Sequence, residues 1–171
     1  MPSTRVNDAL NAEIGLEFFA HLQYVAMAVY FESRSLDKLA AFFYNQAEEE
    51  KTHALMIIKY LVETDGVVNI PAIEQPKQEF ASTLELAQLF LDQEKHVTDQ
   101  FYRMNAMALE DGDYISQNFL QWFIAEQREE MATASRLIDL IRMAGDNLLL
   151  VEMSIASLEA GQASSPAAAA G

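Results

Sequence analysis

Four stretches of this chain, 6–33, 36–65, 83–110 and 114–144, repeat apolar residues every three or four positions, and chain breakers fall between them at few points. That period belongs to α-helices packed by one face, so four long helices are predicted and alternating strands are not. Gly66 and Gly145 stop the second and fourth stretches, and Asp111-Gly112-Asp113 separates the third from the fourth. The short connections within each pair make the first and second helices antiparallel neighbours, and likewise the third and fourth.

Between the pairs lies 66–82, where Pro71 and Pro76 favour extended chain. A helix of about 28 residues is about 42 Å long, and some 17 extended residues reach about 55 Å. The connection can therefore return along the whole bundle and let the second and third helices run parallel, the ferritin-like topology. The alternative is a disordered linker between two separate hairpins. After Gly145 a short apolar helix is expected over 147–159, capped by Asp146, with Leu148, Val151, Ile155 and Leu158 on one stripe. Such a stripe must pack on the bundle's end or on another subunit. One domain over 1–160 and a mobile tail over 161–171, rich in Ala, Ser and Gly, complete the expected organisation.

Composition narrows the function classes. The 171 residues carry 11 Lys and Arg against 26 Asp and Glu, a net charge of −15, which disfavours nucleic-acid and membrane surfaces as partners. No cysteine is present, so disulfides, thiolate zinc sites and cysteine nucleophiles are excluded, and a reducing, cytoplasmic location is expected. The longest apolar run, 24–31, is shorter than the roughly 18 residues of a bilayer span. Oxygen and imidazole metal chemistry remains open.

The core-facing stripes carry acids. Followed in helical steps, the first runs Leu10, Ile14, Glu17, His21, Tyr24, Ala28, and the second Leu39, Phe43, Gln46, Glu50, His53, Ile57, Leu61. The third runs Leu84, Ala87, Leu91, Glu94, Thr98, Phe101, and the fourth Phe119, Phe123, Gln127, Glu130, Ala134, Leu137, Ile141. A single such Glu is ordinarily solvated, but four in register cannot all stay ionised in a core without cations. No Lys or Arg shares these stripes. Two divalent metals balance Glu17, Glu50, Glu94 and Glu130, with His53 as a nitrogen ligand. An offset of 94 − 17 = 77 maps Glu17 onto Glu94, Glu49 onto Glu126, Glu50 onto Gln127 and His53 onto Glu130. The two hairpins thus share one plan, and the bundle is pseudo-twofold.

Glu17, Tyr24, Glu50-x-x-His53, Glu94 and the Glu126-Gln127-x-Glu129-Glu130 run closely resemble bacterial non-haem ferritin, over nearly the whole chain. Di-iron carboxylate proteins in general have a second Glu-x-x-His, where this chain reads Gln127-x-x-Glu130. That departure favours the ferritin branch over bacterioferritin, rubrerythrin and the di-iron oxygenases. Bacterioferritins place a haem-ligating Met directly after the second-helix Glu; Lys51 stands there, so no haem is expected.

The resemblance implies that Glu17, Glu50 and His53 ligate one iron, with Glu50 bridging to a second held by Glu94 and Glu130, and that Gln127 hydrogen-bonds bound oxygen or water. It also implies a third iron site from Glu49, Glu126 and Glu129, sharing Glu130, for which simple surface exposure is the competing reading. Tyr24 matches the family's tyrosine beside the irons, a source of hydrogen bonds or an electron; a core tyrosine with a satisfied hydroxyl is the equal alternative. Trp122 lies near the site by spacing, with packing its simpler role. The implied activity is oxidation of Fe(II) by O2 or H2O2 and storage of the ferric mineral in a hollow homo-oligomer of about 24 chains. A di-iron enzyme acting on an organic substrate and a purely structural bundle are the rival readings.

Overall fold

The structure, a computed structural model, describes residues 1–155. Five helices follow in order: α1 (Thr4–Glu32), α2 (Asp37–Glu63), α3 (Thr83–Glu110), α4 (Tyr114–Ala144) and α5 (Leu148–Ser154). No strand occurs among the described residues. The boundaries of α3 and α4 coincide with the sequence expectation because each has a local cap: the Ser82 hydroxyl accepts from the Glu85 amide, and the Asp113 carboxylate from the Ser116 amide. α1 begins two residues earlier than expected because Ser3 caps it in the same way. α2 ends at Glu63, ahead of Asp65, which takes a positive φ of 54°.

The 66–82 connection is extended and ordered against α1, not a free linker. Asn7 exchanges a pair of hydrogen bonds with the Val67 backbone, 2.8 and 3.1 Å. The Asn11 side-chain Oδ1 accepts from the Asn69 backbone amide at 2.6 Å. Further along, Gln23 makes the same two-way contact with Lys77, both bonds 2.9 Å, and the Tyr30 hydroxyl meets Thr83 Oγ1 at 3.3 Å. The connection therefore runs beside α1 in the same direction, past Gly15, where an added Cβ would stand 2.5 Å from Pro71 Cγ. It delivers α3 to the end of the bundle where α1 finishes, so α2 and α3 run parallel, as the chain-length argument requires.

Two hydrophobic clusters fill the bundle. One joins Tyr24, Phe31, Phe43, Phe90, Leu137 and Ile141; the other joins Leu10, Ile57, Phe101, Leu120 and Phe123. On every long helix the residues between the two clusters are the polar ones just described, so a polar layer crosses the middle of the bundle. α5 closes one end through Val151 and Ile155, which join the first cluster, while Leu149, Leu150 and Met153 stay exposed. Its cap differs from expectation: Asn147, not Asp146, holds the N-cap position, and its side chain makes no capping bond. The expected extension of this helix to 159, with Leu158, and the tail over 161–171 lie outside the described residues. Leu84, placed on the third stripe, is 39% exposed, because the buried face at that turn uses Thr83 and Leu86.

α1 is long and apolar enough, by length and composition, to cross a membrane. Averaging over a helix hides isolated acids that an uninterrupted apolar run excludes. In the bundle this helix buries Glu13 and Glu17 along with Leu10, Ile14 and Tyr24, and unpaired carboxylates are costly in hydrocarbon.

Candidate metal centre

Glu17 comes from α1, Glu50 and His53 from α2, Glu94 from α3, and Gln127 and Glu130 from α4. All six are buried. Helical spacing explains the placement, since residues three or four apart share a face, and each of these follows the apolar stripe of its helix.

Glu17, Glu50 and His53 each offer a ligand atom within 4.8 Å of the others, the one such trio of metal-type side chains among the described residues. His53 Nδ1 lies 3.1 Å from Glu50 Oε2 and 4.0 Å from Glu17 Oε2. Both oxygens of Glu17 lack a hydrogen-bond partner although the residue is 0% exposed. Burial, reinforced by the Glu50 charge, pushes the Glu17 carboxyl well above its ordinary range. Burial works the same way on Glu50, but the His53 hydrogen bond and charge outweigh it and hold that carboxyl below its usual value. His53 is raised in turn: burial opposes its charge, and Glu50 overcomes that.

The pseudo-symmetric half is arranged differently. Glu94 accepts from the Tyr24 hydroxyl on one oxygen and from Gln127 Nε2, at 2.9 Å, on the other. Burial, then the Glu50 charge, raises Glu94 to about 8 against those two bonds, and burial with the Glu94 charge lifts Glu130 well above its usual range. Gln127 stands where the twofold places Glu50, so a neutral amide steadies Glu94 on one side while Glu17 is left unbonded on the other. Tyr24 is fully buried between Phe43 and Phe90, edge-on to both rings, and its phenol is held neutral by burial and the Glu94 charge.

Glu49, Glu126 and Glu129 lie toward the edge of the layer. Glu49 is solvent-exposed as a residue and accepts from Gln46; the protein around its carboxyl, then the Glu50 charge, raises it to about 7. Glu126 is half-buried and raised, by burial first and then by Glu129 and Glu50 against His53. Glu129 pairs with Arg128 at 3.2 Å, which supplies a cation to this set that the sequence stripes did not show. Trp122 packs edge-on to His53, 5.5 Å between ring centres, so packing and proximity hold together.

Buried glutamates with an imidazole among them, across the middle of a four-helix bundle with one long crossover, match a family pattern in both position and residue type. A model of the ferritin-like domain matches residues 7–144. The chain belongs to the ferritin family. It is 41% identical over 155 residues to ferritin BfrB of Mycobacterium tuberculosis, spanning 91% of this chain and 86% of that protein. The same comparison with the bacterial non-heme ferritin of Staphylococcus epidermidis gives 38% over 160 residues, 92% of this chain and 96% of that one. Among solved structures, the fold matches an open pore ferritin from Archaeoglobus fulgidus with a TM-score of 0.87 at 30% identity, covering 92% and 98% of the two chains. Iron storage is the function this membership supports.

Two further residues of this ferritin bear on the site. Lys51 pairs with Glu48 on the outer side of α2. Glu13, one turn before Glu17, is 1% exposed and carries an unpartnered Oε1. Sequence reasoning passed over Glu13 by tracing the stripe through Ile14, although its spacing of four to Glu17 was a readable signal. His21 Nδ1 donates to the Ala47 carbonyl, 2.7 Å away, as a hydrogen-bonded residue near the stripe, and His96 is exposed.

Proposed function

We propose that this ferritin oxidises Fe(II) to Fe(III) at an intrasubunit centre and stores the ferric product in a hollow homo-oligomeric shell of about 24 chains. The observation that carries the reading is the buried Glu17–Glu50–His53 trio, in which Glu17 has no hydrogen-bond partner for either oxygen. A cation supplies what those oxygens lack. Glu17, Glu50 and His53 take one Fe(II), and Glu50 bridges to a second held by Glu94 and Glu130. Two Fe(II) then give two electrons to O2, which with two protons becomes H2O2; with H2O2 as oxidant the products are water.

The residues around the irons have separable tasks. Raised carboxyls release protons as iron displaces them, Gln127 orients Glu94 and a bound oxygen species, and Tyr24 holds the other Glu94 oxygen. Carboxylate-rich sites favour the higher charge of Fe(III), and the pair without a second histidine lets the product leave. Glu49, Glu126 and Glu129, sharing Glu130, form the third iron position on the way inward. No residue is assigned to haem, and the cysteine-free chain suits the cytoplasm.

Glu50→Ala tests the reading, because Glu50 is the bridge. Rapid Fe(II) oxidation, followed by absorbance of the ferric product, is expected to be abolished while helical content and assembly size stay unchanged. Oxidation at the original rate would contradict the assignment.

A further inference from the structure

Glu13 is the buried acid that the centre described above does not use. Its Oε1 has no partner, and the residue is 1% exposed. An oxygen so placed has given up its water with nothing in exchange, which is costly if the carboxyl is ionised. Four ionised glutamates balance two divalent ions, and Glu13 is a fifth acid in the same layer, near enough to feel the charge of Glu50 and to act on Glu17. It stands outside the trio whose ligand atoms lie within 4.8 Å of one another.

The geometry of α1 supplies the second half of that position. Residues four apart on a helix share a face with Cβ atoms about 5–6 Å apart, a span that one oxygen-liganded divalent ion bridges. Glu17, the residue four along, has two unpartnered oxygens of its own, enough to serve His53's side and Glu13's side together. We propose that Glu13 and Glu17 form a further divalent-cation position, sharing Glu17 with the Glu17–Glu50–His53 group and holding an Fe(II) beside it. An all-oxygen donor set suits Fe(II), Mn(II) and Mg(II) more than softer ions. This inference rests on the reading of the layer as a metal centre.

The test is anaerobic Co(II) titration of the metal-free full chain by calorimetry, with bound cobalt counted after dialysis, for the wild type, Glu13→Gln and Glu13→Met. Glutamine matches the carboxyl's shape and methionine its length, and both remove the charge; circular dichroism and size-exclusion chromatography check that each folds and assembles. The wild type is expected to bind one more Co(II) per chain than either variant. Equal counts in wild type and variants would overturn the Glu13 position while leaving the centre in place. A wild type that takes up no Co(II) would overturn both.

Discussion

Of the five buried glutamates in the polar layer, Glu50 alone is held below the ordinary carboxylate range, and His53 is the cause. Glu13 and Glu94 are raised to about 8, by burial first and the Glu50 charge second. Without metal, the folded chain therefore keeps protons that the unfolded chain releases near pH 4.5. Raised acids stabilise the fold most below that unfolded value, and the contribution is lost as pH rises through the folded one. The metal-free protein is expected to melt at a lower temperature at pH 8 than at pH 5.5, with Zn(II) or Co(II) narrowing the difference; scanning calorimetry at the two pH values checks this. A metal-free protein more stable at pH 8 would contradict the account. At this scale the sequence showed Glu17, Glu50, His53, Glu94 and Glu130 because each interrupts an apolar stripe. It did not show that Glu94 is already bonded on both oxygens while Glu17 is not, since that difference depends on Tyr24 and Gln127 meeting one acid across helices 70 and 33 residues apart.

The helices were legible where their caps are local. Ser82 and Asp113 sit beside the turns they cap, and α3 and α4 begin where the sequence places them. α2 has no side-chain cap of its own. Its first amides, Lys38 and Leu39, donate to the Glu152 carboxylate on α5, at 2.6 and 3.0 Å. A cap supplied from 113 and 114 residues away leaves no trace in the local pattern. Glu152→Ala is expected to cost about 1 kcal/mol, the usual worth of an N-cap, and to loosen α5 from the bundle end. Urea denaturation measures the first and amide exchange at Val151 the second. The crossover has its own sensitive point at Gly15. A methyl there meets the Pro71 ring at 2.5 Å, so Gly15→Ala should displace the connection and speed amide exchange at Val67, Asn69 and Lys77, whose N–H groups α1 side chains hold. Unchanged protection would show that the contact relaxes without cost.

Across the whole molecule, two apolar clusters on either side of a polar layer explain how a core can hold so many acids. Phe31 stacks on Phe43, which meets Phe90 edge-on, on one side, and Phe101 stacks on Phe123 on the other, so the layer sits between two blocks of aromatic packing. Phe43→Ala is expected to cost about 3–5 kcal/mol, read as a lowered urea midpoint, with the Co(II) count retained because no ligand is lost. The direction of the crossover was legible from chain length alone; its attachment was not, because Asn7, Asn11 and Gln23 look like ordinary surface polar residues until the returning connection is beside them. Exposed Leu149, Leu150 and Met153 on α5 leave apolar surface for assembly. The central claim, a centre that passes iron into a store, is tested most directly by adding tens of equivalents of Fe(II) per chain in air and passing the product through size-exclusion chromatography with iron and protein detected together. Iron far beyond two or three equivalents per chain is expected to co-elute with a very large assembly. Iron that stops at about two per chain on a small oligomer would contradict it and favour a di-iron enzyme acting on an organic substrate.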